Sequence, residues 1–180
     1  GQIDDGAVTD SDLGVRSYKR YAKGLKEAGY KEVAAPVGKR LEKPAAGNTI
    51  QIDLYSPYDF SGLGDYAHFA NFQKAISEHE IVVWDGHSML GASDFWSRPT
   101  YPSTYQIFLY GGCLGYEYYV RPILHGKGDS WAKLDLMSSV VEVSATANEF
   151  AGPAIAKMVW AIEHGGRSSW RQILLTVRTN

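Results

Sequence analysis

Two residues 26 positions apart carry the chemistry that this sequence could do, His87 and Cys113. Cys113 is the single cysteine of the chain, so an internal disulfide and a multi-cysteine metal site are both excluded. A lone cysteine is most often a small buried hydrophobe. Cys113 stands instead just past the end of an apolar run, within Gly111-Gly112-Cys113-Leu114-Gly115. Glycines at such a place let the chain turn sharply and let another backbone come close. His87 has a similar setting, at the end of Ile81-Val82-Val83-Trp84-Asp85-Gly86-His87. A thiol attacks as its thiolate, and imidazole is the base best matched to neutral pH. The pair therefore fits nucleophilic catalysis. The other histidines are less well placed. His68 and His79 fall on or at the end of a helical stretch, and His125 lies in a Gly-rich loop. His164 ends a helical stretch, where a cation is favourable in any case.

The elements that must position these turns can be read from periodicity. Residues 81–84 are a short, continuously apolar run, as expected of a strand in a covered parallel sheet, and residues 105–110 and 139–143 read as two more largely apolar strands. The third leads into Ser144-Ala145-Thr146-Ala147-Asn148. Residues 15–29 read as a helix with Tyr18, Tyr21, Ala22, Leu25 and Ala28 on one face and Gly29 as its stop. Residues 34–47 read as a loop, and residues 49–55 as an alternating strand. Helices are expected over 65–79, with Asp65 as N-cap, around 116–120, and over 149–164. This alternation predicts an α/β fold with a mainly parallel sheet flanked by helices. Ligands of such sheets sit beyond the carboxyl ends of the strands. The turns carrying His87, Cys113 and Asn148-Glu149 would then gather on one edge.

Composition sets the outer bounds. The 180 residues suit one domain, expected over 15–180 behind a flexible Asp/Gly-rich arm at 1–14. Lys and Arg number 18 against 20 Asp and Glu, a net charge of −2, so no basic excess points to nucleic acid. The 44% hydrophobic share is that of an ordinary globular chain. No apolar run is long enough for a membrane span, and no signal peptide is visible. The chain opens on Gly1-Gln2-Ile3, as a fragment, processed form or tag remnant would, so location cannot be read, with the cytoplasm slightly favoured. No cofactor or metal is expected. Gly62-Leu63-Gly64 lacks the rest of a dinucleotide fingerprint.

An apolar strand ending in Gly86-His87, followed by a second ending in Gly112-Cys113-Leu114-Gly115, resembles the caspase-like (clan CD) cysteine peptidases of the gingipain and caspase type. In element order the resemblance spans roughly residues 18 to 165. It implies a caspase-like three-layer sandwich acting on a peptide or protein substrate. Cys113 would attack the peptide carbonyl to form a thioester acyl-enzyme. His87 would protonate the leaving amine and then activate water. Backbone N–H groups around Ser88, Gly112 and Cys113 would cradle the oxyanion. Two departures stand out. Ser88 replaces the glycine that usually follows the histidine, and Gly111 stands where metacaspases carry an acid. The family's first strand has no counterpart before residue 15, so an upstream segment or a partner chain is expected to complete the sheet.

Around this pair, Trp84, Trp96, Tyr110 and Tyr116 are candidate walls of substrate subsites, with core or rim packing as the commoner use of such residues. Asp94, Glu142 and Glu149 are candidate acids for a basic substrate side chain, and Asp59 or Asp85 could orient the imidazole. Two other functions compete. Gly86-His87-Ser88-Met89-Leu90 nearly spells the nucleophile elbow of a serine hydrolase, with Leu90 in place of the second glycine. A catalytically silent caspase-like module that only binds partners is the other, since a fold does not establish an activity.

Overall fold

The structure, a computed structural model, describes residues 7–88, 91–92, 94–142 and 151–178. Its contacts divide the chain into two compact units, residues 1–16 with 56–147 and residues 17–55 with 148–180. The fold is α/β, and among the described residues it has one parallel and one antiparallel sheet of three strands each. No helix among the described residues is long and apolar enough to cross a membrane.

Helix α1, Leu13–Glu27, starts two residues earlier than periodicity suggests. The Asp12 carbonyl accepts its first bond from Arg16 N–H at 3.0 Å. The Asp12 carboxylate folds back onto Thr9 N–H at 2.5 Å, so residues 9–12, read as part of a loose arm, form an ordered turn. At its other end Gly29 has φ +94°, Gly29 N–H reaches the Lys26 carbonyl and Tyr30 N–H reaches the Leu25 carbonyl. That pair of bonds is a Schellman cap, which glycine permits because it has no Cβ.

The antiparallel sheet belongs to the second unit. It contains β1 (Lys31–Val33), β2 (Lys39–Ala45) and β3 (Asn48–Leu54), in that order. Residues 34–47 were expected to be a loop, yet half of them form β2. The strand was hidden because charged residues occupy both faces, and because Pro44 ordinarily breaks a ladder. Here β1 pairs only as far as Glu42, so Pro44 lies beyond it and no ladder donor is missed on that side. Ala46 and Gly47, at φ +49° and +80°, make the two-residue turn to β3. Arg40 and Asp53, directly opposite in the register, form a bidentate pair with both bonds at 2.7 Å. The same unit contains α5 (Ala151–Glu163) and α6 (Trp170–Arg178). Helix α6 had not been anticipated. Its capping box is legible in retrospect: Gln172 N–H donates to Ser169 Oγ, and Ser169 N–H donates to Gln172 Oε1.

The parallel sheet belongs to the first unit. It has the order β4 (Ile81–Trp84), β5 (Gln106–Tyr110) and β6 (Leu134–Ser138). The first two strands lie where the apolar runs placed them. The third does not. Residues 139–142 are outside any strand, and Val140 and Val141 are 67% and 62% exposed. The actual strand carries Asp135 as its second residue, which breaks the apolar run, and buries Leu134 completely. Helix α2 (Phe69–Glu78) begins after the predicted Asp65. Gly62 and Gly64 take positive φ there, and the Asp65 carboxylate closes a turn on Ser61 N–H and His68 N–H. Helices α3 (Gly115–Tyr118) and α4 (Val120–Gly126) follow the Cys113 turn, near the short helix expected at 116–120.

The core of this unit is aromatic. Phe60, Phe72, Trp84, Phe95, Trp96 and Tyr110 pack with Ile76 of α2 and Ile123 of α4. Gln106 is buried at the start of β5 and donates to the Ile76 and His79 carbonyls at 2.8 and 2.7 Å. Lys127 Nζ donates to Gln106 Oε1 at 3.1 Å and to the Pro102 and Thr104 carbonyls. A buried amide whose donors and acceptor are all engaged fixes where the strand begins.

In the second unit, Glu32 lies between Lys26 and Lys39, the latter at 2.7 Å. Hydrogen bonds from Lys26 first and Lys39 next hold its carboxyl down to about 2. A depressed carboxyl stabilises the fold above its unfolded value and loses that contribution as pH falls towards 2. An NMR titration should place the Glu32 midpoint near 2, and Lys26→Ala with Lys39→Ala should return it to the ordinary carboxylate range. An ordinary midpoint in the unmodified protein would contradict the assignment.

Candidate active site

The site is built on the register of β4 and β5. Trp84 pairs with Tyr110 across parallel strands, and Gly111 N–H adds one further bond to the Trp84 carbonyl at 2.8 Å. His87 is three residues past Trp84, and Cys113 is three residues past Tyr110. Both thus leave neighbouring strands at the same end with the same offset, from ladders about 4.8 Å apart. The two turns touch. A Cβ on Gly112 would lie 3.0 Å from the Gly86 carbonyl oxygen and 2.7 Å from Tyr110 Cε1. Only a glycine at 112 leaves room for that crossing.

Each turn is held from below. The Trp84 indole N–H donates to the His87 carbonyl at 3.2 Å, and the Tyr119 hydroxyl donates to the Ser88 carbonyl. Past the cysteine, Leu114 takes φ +49°, a left-handed conformation that is costly for a residue with a γ-branched side chain. Leu114 N–H and Tyr116 N–H bond to the Val141 and Ser139 carbonyls at 3.1 and 3.0 Å. Ser139 Oγ donates to the Gly112 carbonyl. The chain leaving β6 thereby clamps the cysteine turn. Tyr119 and Ser139 escaped the sequence reading because nothing local marks them.

His87 is exposed and Cys113 half-buried, so a molecule in solution can reach both. The other four histidines hold local partners. His68 Nδ1 meets Asp65, His79 Nδ1 meets the Ala75 carbonyl, His125 Nδ1 meets Asp129, and His164 Nδ1 meets the Trp160 carbonyl. Among the described residues the His87 ring makes no hydrogen bond.

Several expected neighbours lie elsewhere. Trp84 and Trp96 are not pocket walls but core residues, 6% and 1% exposed, locked edge to face at 5.7 Å. Tyr110 is buried under the turn, and only Tyr116 of the four candidate walls is on the surface. Asp94 is exposed but is already paired with Arg98, whose guanidinium lies 4.6 Å over the Tyr66 ring. Asp59 spends its carboxylate on Ser56 N–H and Oγ–H, at 2.7 and 2.8 Å, and so does not orient His87. Asp85 is exposed on the turn, as is Glu142 beyond β6. Glu149, with Asn148 and the third loaded turn, lies outside the described residues. Ser88 is 2% exposed, which places the nucleophile of a serine-hydrolase reading out of a substrate's reach.

An open groove of about 410 Å³ occurs elsewhere on this unit, lined in part by Tyr58, Leu63, Asp65 and His68. Its carboxylate is consumed by Ser61 and His68. Burial pushes Asp65 up, and those bonds from Ser61 and His68 together outweigh it and leave the carboxyl below its ordinary value. The groove includes neither His87 nor Cys113. No group of three metal-ligating side chains occurs among the described residues. Comparison with protein-family models, with curated proteins and with solved structures gave no match.

The Gly86–Gly112 crossing can be tested by itself. Gly112→Ala should destabilise the protein by about 1–3 kcal/mol, the usual cost of forcing atoms into filled space. It should also slow alkylation of Cys113 by iodoacetamide as the turn is pushed outward or closed over. Unchanged melting temperature and unchanged alkylation would mean that the turns do not cross at these glycines.

Proposed function

We propose that this protein is a cysteine endopeptidase that uses Cys113 and His87 as a dyad, on a caspase-like sandwich. The observation that carries the reading is the common offset of the two residues past paired parallel strands, with His87 exposed and Cys113 half-buried. The strained Leu114 next to Cys113 adds weight, since such backbone outliers cluster at functional sites.

In this mechanism the Cys113 sulfur bonds to the carbonyl carbon of the scissile peptide. His87 delivers a proton to the departing amine as the C–N bond breaks, leaving a thioester. His87 then takes a proton from water, whose oxygen attacks the thioester carbon and releases Cys113. Main-chain N–H groups of the 86–88 and 112–113 turns stabilise the oxyanion formed in both steps. The residues after β6 that clamp the cysteine turn keep those donors fixed in advance. Among the described residues β4 has no strand on its outer edge, and a strand from an upstream segment or a partner chain would extend the sheet there.

A panel of fluorogenic peptides differing at P1 tests the activity. At least one should be turned over, and Cys113→Ala and His87→Ala should each lower turnover about 10³-fold or more. Equal turnover by wild type and Cys113→Ala, or none by any protein, would remove the assignment. Ser88→Ala should leave turnover largely intact, whereas its loss would revive the serine-hydrolase reading.

A further inference from the structure

The net charge of −2 hides a segregation between the two units. Residues 17–55 with 148–180 carry 12 Lys and Arg against six Asp and Glu, a charge of +6. The rest of the chain, which includes His87 and Cys113, carries six against 14, a charge of −8. An asymmetry of this size bears on what a surface meets in solution, not on how it folds. Four acids of the cationic unit are matched within it: Glu27 by Lys23, Glu32 by Lys26 and Lys39, Asp53 by Arg40, and Glu163 by Lys43.

The cations are gathered on helix faces. On α1, Lys19, Arg20 and Lys23 are exposed at i, i+1 and i+4, with exposed Arg16 one turn before them on the same face. The opposite face buries Val15 and Ala22. Residues 164–180 contain no acid. Within them α6 buries Ile173, whereas Arg171, Leu174 and Leu175, at i, i+3 and i+4, are exposed together. The two leucines are 48% and 49% exposed. On α5, Trp160 is exposed too, with Lys157 Nζ 3.8 Å over its ring and His164 stacked on it at 4.5 Å. Helices α1 and α5 adjoin, since a Cβ on Gly152 would touch the Tyr21 ring at 3.6 Å.

Exposed leucines and a tryptophan among lysines and arginines suit a surface that is anionic outside and apolar just beneath. A nucleic-acid duplex offers phosphates but no apolar layer for a leucine pair to enter. We propose that the cationic unit docks on an anionic lipid surface, with the exposed cations of α1 and α6 against the headgroups and Leu174, Leu175 and Trp160 at the acyl boundary. Docking of this kind is peripheral and needs no spanning helix. It is independent of the peptidase reading.

Sedimentation of the full chain with lipid vesicles tests this. The protein should pellet with vesicles of phosphatidylcholine containing about 30% phosphatidylserine and stay in solution with phosphatidylcholine alone. Salt at about 1 M, where the screening length falls to about 3 Å, should release it. Lys19→Gln, Arg20→Gln and Lys23→Gln together should weaken binding about a hundredfold, at about fivefold for each cation withdrawn. Leu174→Ala with Leu175→Ala should weaken it about tenfold, with the melting temperature unchanged. No pelleting with either vesicle, equal pelleting with both, or retention at high salt would overturn the proposal. Those arms need no variant, so the proposal stays refutable even where a variant misfolds. A folded leucine or glutamine variant that binds as wild type does would overturn it as well. So would release from the vesicles by a DNA duplex that the leucine variant still binds fully, which would assign the cations to nucleic acid. Pelleting without vesicles would assign them to the acids of a second copy, again against the proposal.

Discussion

The hydrogen bond from Gly111 N–H to the Trp84 carbonyl, the last rung between β4 and β5, governs what the chain can do beyond it. Parallel strands fix register by evenly spaced bonds, so the two chains leave the sheet in step. Shifting either strand by one residue would turn Trp84 and Phe108 out of the aromatic core, so register and core enforce each other. Gln106 and Lys127 set the other end of the same strand. The strand is pinned where it starts and where it finishes, and its neighbours' turns inherit that precision.

Above the last rung the structure departs from regular geometry on purpose. Two turns meet where Gly112 faces the Gly86 carbonyl, and a leucine adopts a left-handed conformation. Each of these is unfavourable locally, and each lies within a few residues of His87 or Cys113. Such strain persists only where the surroundings over-determine it. Here the surroundings are the Trp84 and Tyr119 donors beneath the histidine turn and the Ser139 clamp beneath the cysteine turn.

What was legible in the sequence followed its strongest physical signals. The runs Ile81–Trp84 and Gln106–Tyr110 are short, apolar and ended by glycine, and both are strands in parallel register. The third strand was misplaced because Val140 and Val141 look more like strand interior than Leu134-Asp135-Leu136 does; β-propensity is a weak guide where an acidic residue can face outward. Strand β2 was hidden by Lys39, Arg40, Glu42, Lys43 and Pro44, which leave only Leu41 and Ala45 as its buried positions. The offset of His87 and Cys113 was accessible from spacing alone. The aromatic residues around them were not sortable into wall and core, because burial is decided by elements distant in sequence. Tyr119 and Ser139 hold the two turns through such long-range contacts.

The account depends on His87 and Cys113 facing one another across neighbouring turns. Because Cys113 is the single cysteine, a His87→Cys variant holds one pair of thiols, and dibromobimane becomes strongly fluorescent only when it bridges two that adjoin. Prompt intramolecular bridging, with a mass that accounts for both thiols, is the predicted result. Two thiols that each react singly with the reagent and never bridge would contradict the account.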